Sequence, residues 1–527
     1  MTPVRCTLVR TPELANVFVS ASYAVAPIGL CYVAASLREA GHPVRIVDTT
    51  GEAIDRLTPL AERPQMVRRG LSDEEIVDRI DPASELIGFS LMFSQDWLPA
   101  RGLIRKVRAR FPHAVLIAGG EHATAEPESV LTTSPLDYVL SGEGDRAVCR
   151  LVEHLEGKRA IDDVPGCHHR DASGRVVRTT AMIREKDIDA LPWPAWDLIP
   201  FENYLSGGHG WGVDRGRNVP MNATRGCPYQ CTFCSSPTMW TTRWVARSPH
   251  DVLAEMKHHI AVYGATNFDF QDLTAIVRRE WVIEFAKLLI AEKLDITWQL
   301  PSGTRSEALD DEVLTLLAAS GCRNITYAPE SGTEETLRRI KKKIKVDRML
   351  RSMRQAVRAG CNVKANLMFG FPDDSYRSLL PTYWFIAKMA IIGVHDISAA
   401  PFRPYPGSEL FRMLQDKGTL PKPLDDDYFW RLATTTEKLP GATSELESFS
   451  FHMSGRGLDR ARTAALLTFF LLSWTLRPVR VFRLIRALVT GRQESRLDKS
   501  LIEMRRRVTR RWRDRRPGIA VGELNPY

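Results

Sequence analysis

Two stretches of this chain alternate short apolar runs with segments of helical period, and that alternation narrows each of them to one kind of architecture. In the first, Val4 to Val9, Val44 to Val47, Leu86 to Leu91, Ala114 to Ala118 and Tyr138 to Leu140 read as buried strands. Helical patterns lie between them at Ile28 to Ala40, stopped by Gly41, and at Pro99 to Arg110. Strands joined through helices imply a parallel sheet covered on both faces. Such sheets bind ligands beyond the carboxyl ends of their strands, which is where Ser90, Gly119–Gly120 and Gly142–Glu143–Gly144 fall. In the second stretch, strands are expected at 219–224, 267–271, 296–300, 323–328, 363–368 and 395–399, with helices such as 248–262, 309–319 and 346–359 between them. Six strand–helix units suggest a partial parallel barrel with its site at the same ends of the strands.

At 527 residues the chain is long enough for about three domains. The expected organisation is α/β: a Rossmann-like, flavodoxin-like domain over 1–155, a connector over 156–205, a partial (β/α)6 barrel over 206–425 and a helical, basic region over 426–527. The connector holds a hairpin pattern, Val164 to Thr180, turning around Asp171 to Gly174. A Pro-rich run, Leu191 to Trp196, favours an extended crossing.

Nine cysteines are present, and Met1 to Pro12 has no apolar leader pattern, so a cytoplasmic protein without a disulfide framework is expected. Three of the nine stand together at Cys227, Cys231 and Cys234, in the stretch ATRGCPYQCTFC from Ala223. Structural zinc is usually closed by four ligands in two paired arms, and no fourth Cys or His stands nearby in that spacing. Three thiolates on a tight loop suit a [4Fe–4S] cubane with one iron open to a small chelating molecule. A zinc knuckle completed from a distance is the alternative. Cys167-His168-His169 looks metal-like but falls in the hairpin, and reads as structural; Cys6, Cys31, Cys322 and Cys361 read as core fillers.

The C-x3-C-x2-C loop resembles that of the radical S-adenosylmethionine (SAM) superfamily. The resemblance implies that SAM chelates the open iron through its amino and carboxylate groups, and that one electron from the cluster yields a 5′-deoxyadenosyl radical. It matches Phe233 to the residue beside adenine. Further matches run along the barrel: FDFQDLT from Phe268, where Asp272 would help hold the SAM amino group; WQLPSGTR, ending at Arg305; YAPESG from Tyr327, where Glu330 would meet the SAM ribose; and MFGFP from Met368. Capping of a following helix is the alternative task for Asp272, an ion pair for Glu330 and Arg305.

The first stretch resembles the cobalamin-binding domain that precedes many radical SAM domains, through APIGL from Ala26, GFSLM from Gly88, IAGGEHAT from Ile117 and SGEGD from Ser141. Glycines let backbone approach a bulky cofactor. The corrin would meet Ser90 to Trp97, Gly119 to Ala123 and Gly142 to Gly144. The D-x-H-x-x-G sequence that gives cobalt a histidine elsewhere is absent, since DWLPARG from Asp96 has none; cobalamin is therefore expected without histidine ligation. His122 reads as a structural loop residue.

Together these features resemble the cobalamin-dependent radical SAM enzymes, which implies methylation of an unactivated carbon of a lipid-like, tetrapyrrole or secondary-metabolite substrate, with flavodoxin or ferredoxin as electron donor. Hopanoid methylases share this architecture. So does the anaerobic magnesium-protoporphyrin ester cyclase, whose ring closure is the alternative outcome, and a non-catalytic cobalamin or iron–sulfur sensor is the alternative of another class.

The net charge of +9 belongs to the tail. Arg477 to Arg516 holds 15 basic and 4 acidic residues, leaving 57 basic and 59 acidic elsewhere. No aromatic-interleaved binding fold accompanies that tail, so nucleic acid is not the expected partner. Ala464 to Leu476 is apolar over 13 residues, too short to cross a bilayer. The arginines at 477, 480, 483 and 486 are expected to face anionic lipid at the inner membrane surface, with Val481, Leu484, Ile485 and Leu488 on another face. A basic helix packed on the barrel is the alternative.

Overall fold

The computed structural model describes residues 3–16, 24–435 and 446–514. Five parallel strands, β1 (Cys6–Arg10), β2 (Val44–Asp48), β3 (Leu86–Ser90), β4 (Val115–Gly119) and β5 (Tyr138–Leu140), lie in the order 2-1-3-4-5, the flavodoxin-like arrangement. The apolar runs pair side by side: Leu8 meets Ile46 and Gly88, and Gly88 meets Ile117. A Cβ at Gly88 would stand 2.8 Å from a terminal methyl of Leu8, so glycine leaves room for that side chain between the strands. The connector hairpin forms as β6 (Cys167–Arg170) and β7 (Val176–Arg178), but it pairs antiparallel with β5. The first sheet therefore runs past residue 155.

The second sheet has β8 (Asn218–Met221), β9 (Asn267–Phe270), β10 (Thr297–Thr304), β11 (Cys322–Glu330), β12 (Asn362–Phe369) and β13 (Asp396–Pro401), parallel and in chain order. It is an open half-barrel with helices on its outer face. Those helices carry local stop and start signals. Pro249–Tyr263 starts from Ser248, whose hydroxyl accepts from the Asp251 amide, with Pro249 at its first position, and ends at Gly264 in the left-handed region.

An open barrel needs a plug at the end away from its site. Helix Arg496–Asp514 supplies it: Lys499 donates from Nζ to the carbonyls of Gly210 and Gly212 at 3.0 Å each, and the Leu497 amide donates to Asp396 at the start of β13. Burial lowers the Lys499 pKa to about 8.

Three features depart from the sequence reading. A small antiparallel sheet joins Glu13–Asn16, Arg63–Arg69 and Leu57–Leu60. Helix Asp426–Thr435 packs on the first domain, with Phe429 against His122 and Arg101 paired to Asp426 at 2.6 Å. The arginine ladder does not face outward as a set. Arg477 donates to the carbonyls of Ala390 and Ile391, and Arg480 to those of Gly393 and Val394. Both cap the carboxyl end of helix Leu380–Ile392, where free carbonyls and the helix dipole favour cations. The exposed apolar stripe is consequently Val479, Phe482, Ile485 and Val489, one step round from the face expected.

Candidate active site

The two domains meet with the carboxyl ends of their strands facing one cavity of about 730 Å³. Its lining brings together Ser90, Gly119, Gly120, Gly142 and Gly144 from the first domain and Thr224, Arg225, Gly226, Gln271, Asp272 and Ser302 from the second. Ser90 and these four glycines therefore reach one space, whereas Leu91, Trp97, His122 and Ala123 of the expected loops do not line it. Gly120 sits at φ +111, and a Cβ there would stand 2.6 Å from the Leu91 carbonyl oxygen, so this loop closes only with glycine.

The cysteine loop leaves a two-residue ribbon in which Thr224–Arg225 pairs with Val245–Ala246. Gly226 starts the turn at φ +83, where a Cβ would meet the Arg243 carbonyl. The loop is then held from outside: the Thr232 amide donates to the Ile340 carbonyl at 3.1 Å, and the Leu410 amide to the Thr232 carbonyl at 2.8 Å. Cys227, Cys231 and Cys234 are half-buried and free. Burial raises all three thiols, Cys234 to about 12, while Lys342 and Arg305 pull Cys227 and Cys231 down. Among the described residues no three His, Cys, Asp or Glu side chains converge closely enough for a single ion. A cubane asks for less convergence, because each thiolate takes a different iron corner; three thiols backed by two cations fit that group better than they fit zinc.

Lys342, which stands in the run KKKIK, was not singled out from sequence. It is buried, its Nζ lies 3.0 Å from Glu330 Oε1, and it stands 5.9 Å from the centre of the Phe233 ring. Burial alone would lower its pKa, but Glu330 and Cys231 hold it above the usual lysine value. Glu330 occupies the left-handed region at φ +63, next to a register shift between β11 and β12, a strained end of strand of the kind found at functional sites. Arg305 lies 3.5 Å over the Tyr229 ring and bonds Glu307 and the Lys343 carbonyl. It is both ion-paired and part of the loop's surroundings.

Asp272 lies beneath the loop. Its carboxylate accepts from the Ala223 amide at 3.3 Å, from the Thr224 amide and from the Thr224 hydroxyl at 2.5 Å. Burial raises its pKa to about 6 against those bonds. It positions the residues that lead into Cys227.

The domains are tied at the same place. Arg225 grips Asp145 at 2.6 and 3.1 Å and Glu143 at 3.2 Å; Arg184 donates to Glu143 at 2.8 Å. All four are buried. Ser235, next to Cys234, bonds Glu121 of the Gly119–Gly120 loop. The only signal in sequence was adjacency: Arg225 two residues before Cys227, Glu143 and Asp145 inside the corrin-side glycines. On the corrin side, Met92 and Phe93 are exposed into the cavity. His122 lies behind it, tilted against Trp97, edge-to-face with Phe429 and bonded to Ser94, in keeping with a structural role. His168 and His169 sit in β6 as ordinary strand residues.

Residues 221–386 match the radical SAM superfamily, and residues 16–152 match the B12 binding domain. The chain thus carries a B12 binding domain followed by a radical SAM domain. Cytidylyl-2-hydroxyethylphosphonate methyltransferase of Streptomyces wedmorensis is 28% identical over 416 residues, covering 73% of this chain and 77% of that one. Anaerobic magnesium-protoporphyrin IX monomethyl ester cyclase of Rubrivivax gelatinosus is 26% identical over 58% of this chain and 54% of its own. The solved structure of the cobalamin-dependent S-adenosylmethionine radical enzyme OxsB with aqua-cobalamin bound superposes with a TM-score of 0.67 at 15% identity, over 97% of this chain and 80% of that one. That likeness establishes the shared fold. The cofactors of this radical SAM enzyme are a [4Fe–4S] cluster, SAM and cobalamin, and it works on a small molecule with an external reductant.

Proposed function

We propose that this radical SAM enzyme methylates an unactivated carbon of a lipid-like, tetrapyrrole or secondary-metabolite substrate bound in the interdomain cavity. The observation that carries this reading is the shared lining: the corrin-side loops and the residues leading into the cysteine loop face one space, so both reagents reach one substrate without its release. When bound, the cluster and SAM supply hydrogen abstraction, and cobalamin supplies the methyl group.

In this reading Cys227, Cys231 and Cys234 ligate the cluster, and Phe233 and Glu330 stand on the SAM side, Asp272 acting through the loop it holds. Ser90, Gly119, Gly120, Gly142 and Gly144 form the corrin cradle. Lys342 and Arg305 offset thiolate charge in a low-dielectric setting where it would otherwise be costly. Trp211, Leu273, Met239, Met92 and Phe93 give the cavity apolar surface, while Asn222, Ser302 and Tyr405 offer orienting polar groups. Electrons come from flavodoxin or ferredoxin, and the basic tail brings the enzyme to a membrane.

The test is anaerobic reconstitution with iron, sulfide and cobalamin, then spectroscopy and a search for 5′-deoxyadenosine after reduction with SAM. Cleavage should disappear on Cys227→Ala, Cys231→Ala or Cys234→Ala. Full cleavage in the triple variant would end the reading. The similarity to the cyclase of Rubrivivax gelatinosus supports ring closure as a second outcome. Product mass separates the two: one added methyl group supports transfer, and loss of hydrogen without it supports cyclisation.

A further inference from the structure

Ten large apolar side chains are exposed on three helices at one corner of the barrel, among them Leu380, Trp384 and Ile391 on Leu380–Ile392, Leu467 and Leu471 on Gly455–Leu476, and Phe482 on Val479–Thr490. Val479 and Phe482 are 74% and 71% exposed, far beyond what the flank of a soluble helix needs. The helices converge at Arg477, which follows Leu476 and bonds the Ile391 carbonyl. Among the described residues no single helix is long and apolar enough to cross a membrane, and Gly455–Leu476 and Val479–Thr490 are bent by 105°, so the arrangement suits lying on a bilayer rather than passing through it.

We propose that these helices form a docking face for an anionic lipid bilayer, the apolar stripes entering the headgroup region and cations rimming them. This deepens the membrane contact included in the reading above. The charge argues for that occupant. From Arg460 to Gln493 there are 7 arginines and no Asp or Glu, and helix Leu380–Ile392 also has no acidic residue; Arg462 is buried and paired with Asp459 and Arg483 is paired with Glu494, which leaves the face basic through Arg460, Arg486, Arg492 and Lys388. A second copy seated on the same face would bring one basic surface against another, whereas anionic headgroups complement it. Lys388 lies 5.7 Å from the centre of the Trp384 ring, an aromatic and a cation together, as at membrane interfaces. Arg477 and Arg480 serve differently from a lipid-facing ladder: bonded to barrel carbonyls, they hold the helix corner so that the apolar stripe turns outward.

The experiment is flotation of the full-length protein with vesicles of phosphatidylcholine alone or mixed with phosphatidylglycerol, at low and high salt. The protein should float with the anionic vesicles, less at high salt. Phe482→Asp with Ile485→Asp should lower partitioning by at least about tenfold, with cobalamin content and melting temperature unchanged because both side chains are exposed. Trp384→Ser with Leu380→Ser, on a different helix, should weaken it in the same direction. Three results overturn the proposal: no flotation, flotation untouched by either pair, or a concentration-dependent dimer in light scattering that either pair abolishes. Flotation needs no turnover, so an enzyme that transfers methyl without floating removes only the docking face, and one that floats without transfer removes only the catalytic reading.

Discussion

Arg225, two residues before the first cysteine of the cluster loop, is held in a two-pronged ion pair by Asp145, which opens the helix after the corrin-side glycines. One guanidinium thus links the segment before Cys227 to the segment after Gly144, and the Tyr32 ring 4.8 Å from it covers the pair. Breaking a buried pair leaves its partner's charge uncompensated, at about 3–5 kcal/mol. Arg225→Ala should therefore lower stability by that order in chemical denaturation and release cobalamin during gel filtration. Arg225→Met with Asp145→Leu should cost less than the sum of the single changes. An additive double variant would show the tie to be energetically idle.

Lys342 carries the second prediction. Lys342→Met removes the partner of buried Glu330 and a cation beside Cys231. Loss of a charged hydrogen bond costs about 1.5–3 kcal/mol. SAM binding, followed by titration of the reconstituted protein, should weaken at least tenfold, and the cluster potential measured by redox titration should move negative, since less positive charge faces the reduced state. Lys342→Arg should restore much of the potential. An unmoved potential would make Lys342 a purely structural partner of Glu330.

The difference between Cys227 and Lys342 shows what a sequence can disclose. The cysteine spacing is local, and strands of the first sheet such as Leu86–Ser90 and Val115–Gly119 are short apolar runs, while those of the second, though more polar, alternate regularly with helical patterns, so the half-barrel, the flavodoxin-like order and the cysteine loop were legible. Lys342 stands in a run of lysines that reads as solvated surface; only the fold buries it under Glu330. The Arg225–Asp145 pair joins positions 80 apart, which no periodicity relates. The small sheet through Leu57–Leu60 and Arg63–Arg69 was hidden by Pro59, Pro64 and its charges, which on local propensity argue against strand. Arg477 and Arg480 read from sequence as part of one outward basic stripe, because the carbonyls they satisfy lie some 87 residues away.

Backbone conformation gives the third prediction. Gly120→Ala adds a Cβ 2.6 Å from the Leu91 carbonyl at φ +111, whereas Gly41→Ala, at φ +87, meets nothing within 4 Å. The second change carries only backbone strain, about 1–2 kcal/mol. The first adds a clash in the corrin cradle, and should lower the melting temperature further and reduce retained cobalamin, read from its visible absorbance. Equal effects of the two would remove the close approach as a constraint.

His122 gives a pH dependence whose sign follows from its burial. Desolvation depresses its pKa to about 3 from the usual 6.5, so the folded protein keeps it neutral where the unfolded chain protonates it. The stability this contributes is fully present above about pH 6.5 and is lost as pH falls toward 3. Buried Asp272 works the other way: with its pKa raised to about 6, it favours the folded state below about pH 4 and loses that contribution as pH rises through 6. The two slopes oppose each other across pH 4–6, so the whole-protein profile does not reveal either. The difference between wild type and His122→Gln, which keeps a partner for Ser94, isolates the histidine. Urea midpoints should converge as pH is lowered from 7 to 4, the wild type losing a few kcal/mol relative to the variant. Parallel midpoints over that range would mean that His122 stays in contact with water in solution, and that the packing of Phe429 and Trp97 around it is looser than the structure shows.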